Sequence, residues 1–170
     1  MNRKYAITFD LNDTLVERIF KEHIPLEEHK KYTDYDTIGY HFVRTKPGIE
    51  LIKPYLKNKN CFIILWSKME KRNLINYEKY LEEKHGLKFD LVLDTSHCSK
   101  GEDHEKMNGL SYKKDLKTVA DLLKIEIDNI ILIDDHKEKS VGNQNFYHIS
   151  DETNGIKAAL EFLERSFFKN

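Results

Sequence analysis

Two matching runs restrict the fold of this chain more than anything else in it. Tyr5-Ala6-Ile7-Thr8-Phe9 is apolar and β-prone and stops abruptly at Asp10, with Asn12, Asp13 and Thr14 just behind. Asn129-Ile130-Ile131-Leu132-Ile133 stops in the same way at Asp134 and Asp135. A short run that is apolar on both faces fits a strand of a parallel sheet covered by helices. In open α/β sheets, ligands bind just beyond the carboxyl ends of the strands. Both carboxylate clusters are therefore placed where a ligand would lie, and the first run predicts the first, central strand.

The remaining elements follow the same alternation. Cys61 to Trp66 is a continuous apolar run of strand length, closed by Ser67, and Phe89–Leu93 and Phe146–Ile149 read as two further strands. Helical spacing of apolar residues predicts helices over 49–57, 70–85, 113–125 and 153–167, with Gly86 as the C-cap of the second. Residues 17–45 are a mixed, polar insertion in which 40–45 alternates like a short strand. Residues 94–111 read as a second long loop, carrying His97 and His104. Strands alternating with helices imply one α/β domain over 1–170, a Rossmann-like three-layer sandwich with a central parallel sheet. Neither long loop is large enough for a cap domain.

Composition removes several alternatives. With 39% hydrophobic and 34% charged residues and a net charge of −1, nothing favours a nucleic-acid or membrane partner. No apolar run approaches the ~20 residues of a membrane span, and no apolar signal core follows Met1-Asn2-Arg3-Lys4. Cys61 and Cys98 are the only cysteines, too few for a disulfide framework. The expectation is a cytoplasmic protein, with export by a signal-independent route left open.

Three strand ends thus carry polar groups: Asp10 with Asp13 and Thr14, Ser67, and Asp134 with Asp135, while Lys113 and Lys114 open a helix. Converging carboxylates suit a hard divalent cation such as Mg²⁺. A lysine and a hydroxyl beside such an ion suit phosphate. A carboxylate there can also attack phosphorus and form an aspartyl-phosphate. The residues alone point to phosphoryl transfer.

Asp10-Leu11-Asn12-Asp13-Thr14-Leu15-Val16 resembles the first motif, DxDxT[LV], of the haloacid dehalogenase (HAD) superfamily, and within it the DLDETLV of the small C-terminal-domain phosphatase (FCP/SCP-like, NIF) branch. Arg44-Thr45-Lys46-Pro47-Gly48 is similar to that branch's RPG segment, Ile64-Leu65-Trp66-Ser67 to its second motif, Tyr112-Lys113-Lys114-Asp115-Leu116 to its YxKDL, and Ile131-Leu132-Ile133-Asp134-Asp135 to its fourth. The resemblance implies Asp10 as nucleophile and Mg²⁺ ligand, the backbone carbonyl of Asn12 as a second ligand, and Asp135 as a third with Asp134 oriented beside it. It implies Ser67 as a hydrogen-bond donor to the phosphoryl group, Lys114 (with Lys113 the alternative register) as its neutralising cation, and Thr14 as a brace for the loop.

Position 12 departs from the family, which has a proton-shuttling Asp there. Asn12 is nearly isosteric but cannot carry a proton. It is either a substitution that traps substrate or phosphoenzyme, which the filled state of every other motif position favours, or the mark of a natural pseudophosphatase. With no cap, the site would admit a phosphorylated protein or peptide. The aromatic insertion (Tyr32, Tyr35, Tyr40) leans the reading toward phosphotyrosine over phosphoserine or phosphothreonine. Two alternatives stay open: a small magnesium-dependent phosphatase acting on sugar or metabolite phosphates, which Phe9-Asp10-Leu11 and Asp134-Asp135 also resemble, and a catalytically dead protein-binding module. The tyrosines of the insertion pack on themselves at least as readily as they wall a groove, and His97 and His104 read as solvated.

Overall fold

A computed structural model of the chain describes residues 3–102, 110–150 and 153–168. Its centre is a five-stranded parallel sheet in the order β10-β9-β1-β5-β6, built from β1 (Ala6–Phe9), β5 (Phe62–Trp66), β6 (Leu91–Leu93), β9 (Ile130–Asp134) and β10 (Phe146–His148). Every residue of β1 and β9 is buried, as their largely apolar composition favours, Thr8 and Asp134 included. The chain runs outward from β1 through β5 to β6, then returns to β9 on the other side of β1. The strand order therefore reverses between β1 and β9, the place where open α/β sheets form a ligand crevice.

Alternate side chains feed two cores. Ile7, Phe9, Leu65, Ile131 and Ile133 pack with residues of α1 (Ile52–Lys57), α2 (Lys71–His85) and α4 (Gly155–Phe162). Ala6, Ile64, Trp66, Ile130 and Leu132 pack on the opposite face with Leu116 and Val119 of α3 (Leu116–Leu123). The result is the three-layer sandwich read from the sequence. In α2, Leu74, Tyr77 and Leu81 form the buried stripe; a fully buried apolar side chain contributes roughly 1.5–3 kcal/mol. Gly86 ends α2 in the left-handed conformation at φ 60°, its N–H donating to Leu81 and Glu82. α4 runs on through one π-helical turn, Leu163–Phe167.

Three segments differ from expectation. The insertion is a three-stranded antiparallel sheet, order β2-β4-β3, made of β2 (Val16–Phe20), β3 (Asp36–Ile38) and β4 (His41–Thr45). Most residues of β2 and β3 are only partly buried, so most of 17–39 reads as polar. The second loop carries a hairpin, β7 (Ser99–Glu102) with β8 (Leu110–Lys113). His104 lies outside the described residues. The third helix starts at Leu116 rather than Lys113: Lys113 closes β8 and Asp115 is the N-cap, accepting from the Lys117 N–H at 2.9 Å. Among the described residues no helix is long and apolar enough to cross a membrane.

Candidate active site

Parallel pairing of β1 with β9 in the register Phe9↔Ile133 brings Asp10 and Asp134 side by side at the crevice, and the Asp10 N–H bonds the Ile133 carbonyl at 2.9 Å. Pairing of β1 with β5 in the register Phe9↔Leu65 sets Ser67 at the same sheet edge. Asp10 and Asp134 are buried, at 3% and 0% exposure. Behind Asp10 the chain turns tightly: the Leu11 carbonyl accepts from the N–H groups of Leu15 and Val16, and Asp13 sits at φ 60°. Thr14 is fully buried in this turn, its hydroxyl without a hydrogen-bond partner.

Two lysines neutralise the carboxylates. Lys114 Nζ lies 2.6 Å from Asp10 Oδ1 and 2.7 Å from Asp134 Oδ2, with its side chain 1% exposed. Lys139 Nζ lies 3.2 Å from Asp10 Oδ2, 3.1 Å from Asp134 Oδ1 and 3.9 Å from Asp135 Oδ1. Lys113 instead donates to the Glu138 carbonyl. Lys114 is held from behind. Its N–H donates to the Lys139 carbonyl at 2.7 Å, while Gln144 donates to the Lys114 carbonyl at 2.8 Å and accepts from the Leu116 N–H at 3.0 Å.

Burial alone would raise the Asp10 carboxyl, but the ammonium groups of Lys114 and Lys139 outweigh it and hold Asp10 below the usual carboxylate range. Asp135 goes the other way. Burial and the nearby Asp10 charge push it up to about 6 against the pull of His136 and Lys139. Its Oδ2 is 2.9 Å from His136 Nδ1, whereas its Oδ1 is buried with no hydrogen-bond partner. The Asn12 amide oxygen is likewise buried without a partner. The carboxylates of Asp10, Asp134 and Asp135, with the orphaned Asp135 Oδ1 among them, supply mainly oxygen donors, which suit a hard divalent cation. Asp134, Asp135 and His136 each offer a ligand atom within 4.8 Å of one another.

Ser67 is 2% exposed, and its Oγ accepts from the Met69 N–H at 3.1 Å, fixing the turn into α2. His97 is a structural cap: its ring nitrogen and Asp94 form a reciprocal capping box. Cys61 is buried beside β5, Cys98 is half-buried, and Trp66 belongs to the core. Tyr32 stacks on Phe42 at 4.9 Å and Tyr35 bonds Glu17 at 2.9 Å, so both serve the insertion's own sheet, whereas Tyr40 is exposed.

The sequence reading missed Lys139. It lies in the polar run His136-Lys137-Glu138-Lys139, where a buried lysine is indistinguishable from a solvated one. Its position five residues past Asp134, in the loop leaving a central strand, is the one available signal.

A doubly wound sheet with paired carboxylates and buried lysines at its switch point defines a phosphoryl-transfer enzyme of the HAD type. The family model described as "NLI interacting factor-like phosphatase" matches residues 5–165. The chain belongs to that family, a group of phosphoric monoester hydrolases. No curated protein sequence matches it. Among solved structures, the chain is similar to fission yeast RNA polymerase II CTD phosphatase Fcp1 bound to beryllium fluoride (14% identity, TM-score 0.53, 99% of this chain and 54% of that one). It is also similar to the N-terminal part of a Bacteroides fragilis protein containing a phosphatase domain complexed with Mg (12%, 0.55, 98% and 41%). A third likeness is to a HAD-superfamily hydrolase from Geobacter sulfurreducens (9%, 0.52, 94% and 97%). At such identities these likenesses establish the fold. The chain spans about half the length of the Fcp1 chain it matches.

Proposed function

We propose that the chain is a magnesium-dependent phosphoprotein phosphatase acting through an aspartyl-phosphate on Asp10, with Asn12 slowing or halting turnover. The state of Asp10 carries this reading: it is buried, ionised and held by a lysine at each oxygen, close to the Asp135 carboxylate with its orphaned Oδ1. Three carboxylates against two ammonium groups leave one negative charge in excess, so a phosphate dianion needs a further cation there. Magnesium, when bound by Asp10, the Asn12 backbone carbonyl and Asp135, would draw charge off the phosphoryl oxygens.

An Asp10 oxygen attacks phosphorus and the phosphorus–oxygen ester bond breaks, its electron pair leaving with the substrate oxygen. Lys114 neutralises the charge gathering on the phosphoryl group and the Ser67 hydroxyl donates to one of its oxygens. The departing oxygen needs a proton, and the amide of Asn12 has none to give. A phenolate departs without that proton more readily than an alkoxide, which favours phosphotyrosine. The aspartyl-phosphate must then be cleaved by water, whose proton Asn12 cannot accept. Loss of such a general acid–base typically slows a step ~10²–10⁴-fold.

Among the described residues no element forms a cap domain, which supports a macromolecular substrate, and on this reading residues 1–170 are a single domain. A cleft of ≈ 610 Å³ beside Asp13, lined by Arg44, Lys46 and His85 among others, has room for a peptide segment. The phosphorylated C-terminal domain named for the Fcp1 structure is a substrate of this class.

The test is direct. Asn12→Asp should hydrolyse p-nitrophenyl phosphate in Mg²⁺, and Asp10→Asn in that background should abolish the activity. If Asn12→Asp stays inert across phosphotyrosine, phosphoserine and phosphothreonine peptides, the enzyme reading fails. The binding module, which the amide at position 12 specifically favours, then replaces it.

A further inference from the structure

The Lys139 ammonium stands where three carboxylates converge. It touches the Asp10 oxygen that Lys114 leaves free, shares Asp134, and lies 3.9 Å from the orphaned Asp135 Oδ1. Its side chain is only 13% exposed, so water screens these contacts weakly. Resting on the magnesium-binding reading above, we propose that Lys139 is a resident counter-cation that competes with the divalent ion for the same carboxylate oxygens and is displaced when the ion enters.

A divalent magnesium bonds oxygen at ~2.0–2.1 Å and requires near-octahedral geometry, whereas an ammonium bonds the same oxygens near 3 Å. Two cations drawn to one edge of Asp10 repel each other, and the one on a flexible stem yields. The Lys139 backbone is anchored independently of its side chain. Its carbonyl accepts from Lys114 at 2.7 Å and its N–H donates to His136 at 3.2 Å. The four-carbon stem can therefore swing without dismantling the loop or moving Lys114. In the metal-free protein Lys139 keeps the acidic cluster from repelling itself, and it sets the concentration of ion needed to load the site.

The experiment measures binding rather than turnover, so Asn12 does not interfere. Mg²⁺ is titrated by calorimetry into the chain as it stands, into Lys139→Met, and into the exposed neighbour control Lys137→Met. Thermal unfolding in EDTA and in Mg²⁺ is followed alongside. Lys139→Met should bind Mg²⁺ at least tenfold more tightly, unfold at lower temperature in EDTA, and gain more from Mg²⁺ than the parent; Lys137→Met should match the parent. Equal or weaker Mg²⁺ binding by a folded Lys139→Met overturns the competition and leaves the metal reading intact. Absence of binding in every chain overturns the metal reading itself and the competition with it. If Lys139→Met does not fold in EDTA, Lys139→Gln is titrated by the same criteria.

Discussion

At the scale of single residues, Lys114 is the more deeply buried of the two lysines at the site. It is fully buried between two carboxylates, and breaking a buried ion pair from one side leaves an uncompensated charge. Lys114→Met should therefore lose about 3–5 kcal/mol of stability in urea unfolding. Lys113→Met removes only a bond to a carbonyl at the surface and should stay within about 0.5 kcal/mol. Equal losses from the two would mean that the ion pairs contribute little. Asp10, Asp134, Asp135 and Lys114 are legible in the sequence, because the carboxylates close apolar strand runs and Lys114 falls within a recognisable motif. Lys139 was illegible because nothing local distinguishes a lysine that folds back onto a site from one in water.

At the scale of elements, two junctions hold the framework. Gly155 opens α4 where a β-carbon would lie 2.5 Å from the Ser150 carbonyl oxygen and 3.2 Å from Ile149. Gly155→Ala should cost roughly 1–3 kcal/mol in chemical denaturation as the helix start is pushed off β10; an unchanged midpoint would show that this junction yields freely. The insertion sheet is tied to α2 through Asp36, which accepts from Tyr80 at 2.7 Å and pairs with Lys84. Those hydrogen bonds, that from Lys84 first, hold the Asp36 carboxyl below its ordinary value. A depressed carboxylate contributes stability that is present above its unfolded pKa and lost as pH falls through the folded one. Asp36→Ala should thus lower the unfolding free energy in urea at pH 7, by no more than about 1 kcal/mol for so exposed a pair. The difference from the parent should close as pH falls through the lowered Asp36 pKa. The short strands β2, β3, β7 and β8 escaped the sequence reading because each is half-exposed or borders a loop, so no alternation is long enough to register.

At the scale of the whole molecule, the two cores converge on one crevice, and an ion bound there would couple to global stability. Linkage gives about 2.7 kcal/mol when the ion is at a hundred times its dissociation constant. For a chain of 170 residues that corresponds to a rise in Tm of roughly 5–10 °C. EDTA should reverse the rise, and Asp135→Asn should blunt it. A Tm indifferent to Mg²⁺ in both chains would remove the metal from the account.

Apolar runs ending in carboxylates determined, from the sequence alone, the class of fold, the central strands and the edge at which chemistry is placed. Both features are local: burial on two faces dictates strand composition, and a motif's spacing survives in one dimension. Only the tertiary structure decided which oxygens each lysine holds, that Asp134 is fully engaged while an Asp135 oxygen is not, and that a second lysine enters the cluster. Those are questions of distance in space, whether the partners are Asp10 and Lys114, more than a hundred residues apart, or Asp134 and Lys139, five apart. A buried charge answers to whatever the fold brings within a few ångströms, whatever its neighbours in the chain.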